Sequence, residues 1–252
     1  VFVACSTLCF GKNTLEETVQ RIGELRFSKV DLAIHTHGHH LKPATVVNDL
    51  QKTAYRLRSL NMGFAAFHVE IDEPDSQAHA QQLRAICHLA RLVAAPLVTI
   101  PAPASGTDPA QVVEKLKSQV HIAEAEGVIL TLETRKGTLT EDPVATAELC
   151  RRVRGLGITL DPSHYVTSDS AQNYDGIYPH VCHVRLRDTG MGPNEFQVRI
   201  GQGQIDYGKL IGQLERCHYD RALSVDIRDI PDSPYPIDVE VRKLKYLLES
   251  LV

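Results

Sequence analysis

Short apolar runs rich in β-branched residues recur along the chain at nearly constant spacing. They read VFVAC (1–5), KVDLAIH (29–35), GFAAFHVEI (63–71), PLVTIP (96–101), GVILTLE (127–133), GITLD (157–161), VCHVRLR (181–187) and ALSVDI (222–227). Their starts lie about 32 residues apart, room for a strand, a helix and two short connections. The intervening segments carry apolar residues at i, i+3 and i+4, which places them on one helical face. That spacing predicts helices at 14–27, 44–60, 77–93, 108–126 and 142–154, and a last one at about 237–251. Thr14, Asp108 and Asp142 stand at helix starts, where a short polar side chain accepts from first-turn N–H groups. Pro109 and Pro143 follow the two aspartates at the first helical position, which suits proline.

Strands that alternate with helices pair in parallel, because each connection crosses back over the sheet. Eight such units in 252 residues predict an α/β chain folded as a single (β/α)8 barrel, one domain over 1–252. An open doubly wound sheet competes with it, yet no GxGxxG or GxxxxGK[ST] follows the first strand. The connection 162–180 is weakly helical at best. The stretch 188–205 exceeds an ordinary strand-to-helix loop, which marks it as functional.

Composition narrows the class. With 43% hydrophobic and 23% charged residues, intrinsic disorder and disulfide scaffolds are excluded. No apolar run approaches the roughly 20 residues of a membrane-spanning helix. The opening VFVACSTLCF lacks a basic n-region and reads as a strand, not a signal peptide. The net charge of −4, from 27 basic and 31 acidic residues, lacks the basic excess of nucleic-acid binders. Six cysteines without a CxxC pair read as reduced, buried thiols of a cytoplasmic protein. Twelve histidines suggest metal or proton chemistry; their positions decide what they mean.

A barrel strand turns alternate side chains toward the interior. In GVILTLE one phase holds Ile129, Thr131 and Glu133; in GITLD, Thr159 and Asp161; in ALSVDI, Ser224 and Asp226. In the seventh strand His183, Arg185 and Arg187 share a face opposite Cys182, Val184 and Leu186. Each polar phase closes on an ionisable group at the strand's C-terminal end, where barrel enzymes build their sites. Glu133, Asp161 and Asp226 in one mouth repel each other unless positive charge lies between them. A divalent cation (Mn²⁺, Mg²⁺, Co²⁺ or Zn²⁺) meets that need, and so does an arginine. Asp161-Pro-Ser-His164 brings an imidazole over the same mouth. His68, in phase with Phe64 and Ala66, is a further wall residue. His35, His37, His39 and His40 follow the second strand, as a metal site or merely a polar loop. His79, His88, His121 and His218 fall within helical patterns and are assigned no catalytic part.

LTLE (130–133), LDPSH (160–164), HVRLRD (183–188), GQGQIDY (201–207) and LSVD (223–226) together resemble the xylose isomerase-like TIM-barrel superfamily. That superfamily includes sugar-phosphate isomerases and epimerases, inosose dehydratases and the endonuclease IV group. The resemblance implies a metal held by Glu, Asp, His and Glu from strands five to eight. Glu133 and Asp161 match the first two, Asp226 stands for the last, and Arg185 occupies the histidine position. Arginine offers no lone pair, so the resemblance leaves Glu133, Asp161 and Asp226 as ligands, or Arg185 in place of the ion. His183, deeper on the same strand, is a poor substitute. The endonuclease IV zinc pattern is missing, with Glu195-Phe-Gln197 at its Asp-x-His and no histidine after TIPAP. DNA repair is therefore disfavoured.

What the resemblance implies is a sugar or sugar-phosphate isomerase or epimerase working through an enediolate. Glu133 and Asp226 would be its base and acid. His68 and His164 would hold substrate hydroxyls, with Arg185 and Arg187 on an anionic group, joined by Arg135 and Arg199. An inosose-dehydratase-like lyase begins with the same proton abstraction. A metal-free barrel that binds a sugar derivative without catalysis is the non-enzymatic alternative, favoured by Arg185 and Asp226.

Overall fold

The computed structural model describes residues 1–166, 173–192, 195–230 and 233–252. Eight strands close in chain order: β1 (Phe2–Ser6), β2 (Lys29–His35), β3 (Gly63–Glu70), β4 (Leu97–Pro101), β5 (Ile129–Glu133), β6 (Leu156–Leu160), β7 (Val181–Leu186) and β8 (Ala222–Val225). Every neighbouring pair is parallel, and β8 returns to β1. Around them lie α1 (Leu15–Glu24), α2 (Pro43–Asn48), α3 (Leu50–Ser59), α4 (Ser76–Leu92), α5 (Pro109–Glu124), α6 (Pro143–Arg152), α7 (Ser163–Val166), α8 (Tyr207–Arg216) and α9 (Ile237–Glu249). The chain is thus a (β/α)8 barrel, as its periodicity predicts. Among the described residues no helix is long and apolar enough to cross a membrane.

The helix starts carry their predicted caps. Thr14 and Glu17 form a reciprocal capping box, and Asp108 and Asp142 accept from Ala110 N and Val144 N at 3.0 and 2.8 Å. Each such cap stabilises its helix by about 1 kcal/mol. Two departures from the predicted elements have local causes. The helix expected at 44–60 is two helices, broken at Asp49 (φ −151°), whose side chain caps α3 through Lys52 N at 3.0 Å. Helix α8 was not predicted, although Tyr207, Leu210, Ile211 and Leu214 bury a helical stripe behind the cap Asp206. In the connection 162–180, α7 and a 3-10 turn at Asp175–His180 flank residues 167–172, which lie outside the described residues.

The main apolar core lies between sheet and helices, while the barrel interior turns polar upward. At mid-depth Thr99, Thr131 and Thr159, from β4, β5 and β6, close a hydroxyl triangle at 2.7–2.9 Å. Two register shifts set what faces inward. Between Val30 and Asp31 the β2–β3 pairing skips Ala65, so Phe64 leaves the phase of His68 and packs edge-on against Phe67. Simple alternation had grouped Phe64 with His68; the bulge overrides it. Between Ile158 and Thr159 the pairing passes over Cys182, whose Sγ lies 2.6 Å from where a Gly157 Cβ would stand. Cys182 thus leaves the face it was expected to share with Val184 and Leu186.

Candidate active site

The ionisable ends of β5 to β8 converge at the C-terminal mouth, and a buried arginine stands at their centre. Arg185, with no solvent exposure, reaches Glu133 Oε1 through Nη1 at 2.9 Å and Asp226 Oδ1 through Nη2 at 2.9 Å. Its Nη2 also donates to Ser6 Oγ at 3.1 Å, and its Nε lies 3.2 Å from Asp31 Oδ2. One planar guanidinium therefore ties together four strands, which a lysine's point charge would not do. Above it, Arg187 bridges Asp161 Oδ2 and Asp226 Oδ2. Arg228 Nε donates to the same Asp226 oxygen at 3.0 Å. Asp161 Oδ1 is held by Ser163 through its N–H at 3.0 Å and its hydroxyl at 2.5 Å.

Five of the six oxygens of Glu133, Asp161 and Asp226 are thus taken, and Glu133 Oε2 has no hydrogen-bond partner among the described residues. Burial by itself raises the pKa of a carboxyl group. At Glu133 this is outweighed by His68 and then Arg185, which hold it well below the usual carboxylate range. At Asp226 it is outweighed by Arg185, Arg228 and Arg187, with the same direction. His164 is shifted the other way: burial disfavours its charged form more than Asp161 Oδ2, 3.7 Å away, favours it. Its ring packs against Phe196 of the long loop at 5.4 Å. Among the buried donor or acceptor atoms here that lack partners are His164 Nδ1 and Arg187 Nε.

The loop at 188–205 is organised from within. Asp188 accepts from Thr189 N, Gly201 N and Gly203 N at 2.8–3.1 Å. A Cβ at Gly203 would collide with that carboxylate, which accounts for glycine there. Gln197 brackets the backbone of Arg228, accepting from its N–H at 2.6 Å and donating to its carbonyl at 2.9 Å. The loop thereby orients an arginine of the mouth.

On the opposite side, β2 and β3 bring His35 and His68 into contact, His35 Nε2 to His68 Nδ1 at 2.8 Å. His68 Nε2 lies 3.3 Å from Glu133 Oε1, and His35 Nδ1 lies 3.6 Å from Glu70 Oε2. Of the other loop histidines, His37 pairs with exposed Asp72, His40 lies against Thr18 Oγ1 and His39 is exposed. Deeper in the barrel His183 contacts Asp31 Oδ2 at 3.3 Å. Of the outlying arginines, Arg135 approaches Glu70 at 3.6 Å, whereas Arg199 turns away over the Tyr235 ring.

Whether these residues suit a divalent ion follows from the donor set. Arg185 and Arg187 occupy the space between Glu133, Asp161 and Asp226, which leave one free oxygen, and the imidazole of β7, His183, lies deeper against Asp31. Those three carboxylates do not fit a divalent cation. Among the described residues the group with converging ligand atoms is His35, His68 and Glu70, within 4.8 Å of one another.

Glu133, Asp161, Asp226, His68, His164, Arg185 and Arg187 are thus gathered at one mouth. Sequence reasoning did not single out Asp31, Glu70, Ser6 or Arg228, nor His35 apart from its neighbours. The signal existed for β2 and β3, where Asp31, Ala33 and His35, and Ala66, His68 and Glu70, form polar phases like those of β5 to β8.

Among curated proteins, the chain is similar to the uncharacterised MJ1311 of Methanocaldococcus jannaschii, 27% identical over 127 residues. That match covers 47% of this chain and 43% of MJ1311, so less than half of the relative's length. Among solved structures, a D-tagatose 3-epimerase-like protein matches with a TM-score of 0.73 at 19% identity, over 100% of this chain and 98% of that one. A xylose isomerase-like TIM barrel protein of Mycobacterium smegmatis in complex with magnesium matches with a TM-score of 0.76 at 14% identity, over 99% and 97%. At these identities the likeness is one of fold. The sequence model for the xylose isomerase-like TIM barrel matches residues 14–247, and the chain belongs to that family.

Proposed function

We propose that this chain isomerises or epimerises a sugar or sugar phosphate through an enediolate, with no divalent ion on Glu133, Asp161 and Asp226. The observation that carries this reading is the one free oxygen among those three carboxylates, Glu133 Oε2. Glu133 is the base that removes the proton beside the substrate carbonyl, its other oxygen anchored by Arg185 and His68. Asp226, fully buried with both oxygens engaged, aligns the arginines and is not assigned the acid role. His164 Nδ1 and Arg187 Nε, buried and unpartnered, receive substrate oxygens. The imidazole holds a hydroxyl, and the guanidinium the developing enediolate or an anionic group. Arg228, about a third exposed, adds charge for a phosphate.

The test is deuterium uptake. Chelator-treated protein is incubated in D₂O with a panel of aldoses, ketoses and their phosphates. Deuterium beside the carbonyl of at least one compound is expected, reduced about 10²- to 10⁴-fold in Glu133→Gln. Loss of exchange on chelation would overturn the metal-independent reading. A product double bond, read by ultraviolet absorbance, would assign a dehydratase instead. The low basicity of Glu133 favours one second reading, a barrel that binds a sugar derivative without catalysis. Saturable binding that weakens in Arg187→Met, with no deuterium uptake, would establish it.

A further inference from the structure

β2 and β3 carry a polar chain that leads away from the base proposed above. Four groups stand in line: Glu70, His35, His68 and Glu133. Their contacts are 3.6 Å from Glu70 Oε2 to His35 Nδ1, 2.8 Å from His35 Nε2 to His68 Nδ1, and 3.3 Å from His68 Nε2 to Glu133 Oε1. The two ring centroids are 4.9 Å apart. With a 2.8 Å nitrogen–nitrogen contact, the facing nitrogens point nearly head on. That is the geometry of a shared proton rather than of two lone pairs converging on an ion. The line also runs from the closed interior to the surface: His68 is 1% exposed, His35 9%, and the Glu70 side chain 41%.

Proton counting gives the line its property. When both rings are neutral each carries one N–H, and two protons then serve three contacts. One contact always lacks a proton, and that gap stands at either end. In one state His68 Nε2–H faces Glu133, His35 Nε2–H donates to His68 Nδ1, and the His35 Nδ1 lone pair faces Glu70. In the other, His35 Nδ1–H faces Glu70, His68 Nδ1–H donates to His35 Nε2, and the His68 Nε2 lone pair faces Glu133. His68 Nε2 makes no well-formed hydrogen bond, as an atom that serves as donor in one state and acceptor in the other.

We infer that His35 and His68 form a two-imidazole proton conduit joining Glu133 to the exposed carboxylate of Glu70. The inference rests on the reading of Glu133 as the base. A proton taken onto Glu133 Oε2 reaches the His68 side by a half-turn of the neutral carboxyl. It then passes to His68 Nε2; the His68 Nδ1 proton moves to His35 Nε2, and the His35 Nδ1 proton to Glu70, which releases it to water. One proton enters, one leaves, and both rings end neutral in the other tautomer. Entry of a proton from water at Glu70, with one passed back along the same contacts to Glu133, resets the line. Arg135, beside Glu70 at 3.6 Å, and Arg185, on Glu133 at 2.9 Å, flank its two ends.

The test needs no substrate, so its outcome is independent of whether any sugar proves to be turned over. The full chain is labelled with ¹⁵N, and the histidine ring protons are followed by NMR. A through-hydrogen-bond coupling between His35 Nε2 and His68 Nδ1 is expected. Exchange of the His68 ring proton with water should slow by about tenfold or more in His35→Phe, because a ring 1% exposed loses its route to solvent. His37→Asn, at an exposed neighbour outside the line, should leave that rate unchanged. If His35→Phe does not fold, Glu70→Gln at the exposed end gives the same readout. An exchange rate unchanged or raised in both variants overturns the conduit. So does one equivalent of Zn²⁺ that abolishes the coupling and shifts both rings, since an ion would then occupy the place of the shared proton.

Discussion

The two sides of the barrel mouth bury polar groups by opposite means. On β5 to β8, full charges are buried: Glu133, Asp161 and Asp226 against Arg185 and Arg187, with Arg228 at the rim. At the mouth end of β2 and β3 the buried groups are two imidazoles, and burial pushes the pKa of His35 down to about 2. A buried charge is tolerable only when matched, so the first side is rigid: Arg185 and Arg187 each bridge at least two carboxylates. A buried neutral ring needs only a hydrogen bond, so the second side keeps freedom over where its protons sit. Glu133 belongs to both, with Oε1 touched by Arg185 and His68 alike. The arginines hold charge in place; the histidines let it move.

Removing the central charge should produce the largest effect. Arg185→Met leaves Asp31, Glu133 and Asp226 buried without their shared counter-charge and should cost about 3–5 kcal/mol in urea unfolding. A cost below about 1 kcal/mol would mean the carboxylates find another partner, and the contrast between the two sides would lose its basis. Arg187→Met should cost less, about 1–3 kcal/mol. In that variant Asp226 keeps Arg185 and Arg228, and Asp161 keeps Ser163.

Acid should separate the two sides along the pH axis. His35 and His164 have depressed pKa values in the folded state, so between pH 7 and 5 the unfolded chain binds protons that the folded chain does not. Stability should therefore fall over that interval, and His35→Phe should remove up to about 1.4 kcal/mol per pH unit of the slope. Glu133 and Asp226 are also depressed, from a lower starting value. Their contribution is fully present above about pH 5 and is lost as pH falls below about 4 toward their folded values. Thermal unfolding across pH 3 to 8 checks both intervals; a flat profile from 7 to 5 would contradict the neutral-histidine side. The smallest effect should come from Glu70→Gln, within about 0.5 kcal/mol, because that side chain is 41% exposed.

Much of this was legible in the residues. Strand runs every 32 residues or so and helical stripes between them specify a parallel sheet, and eight units in this length favour its closure into a barrel. Polar phases ending in Glu133, Asp161, Arg185 and Asp226 pointed at one mouth, since the two-residue period of a strand places alternate side chains together. His68 was found although the phase used to find it was disturbed by a bulge. Helix α8 and the break at Asp49 were missed, because a cap and a short stripe carry little weight against longer patterns.

What sequence alone determined is therefore the repeat, the inward phase of each strand and the chemical types gathered at the C-terminal end. Periodicity is local, so it survives without coordinates. Which charge meets which is not local: Arg185 is 41 residues from Asp226, 52 from Glu133 and 179 from Ser6. Only closure of the barrel decided that a guanidinium stands where an ion was expected, that one oxygen of Glu133 stays open, and that His35 meets His68. Closure sets register across strands, and register assigns each buried charge its partner.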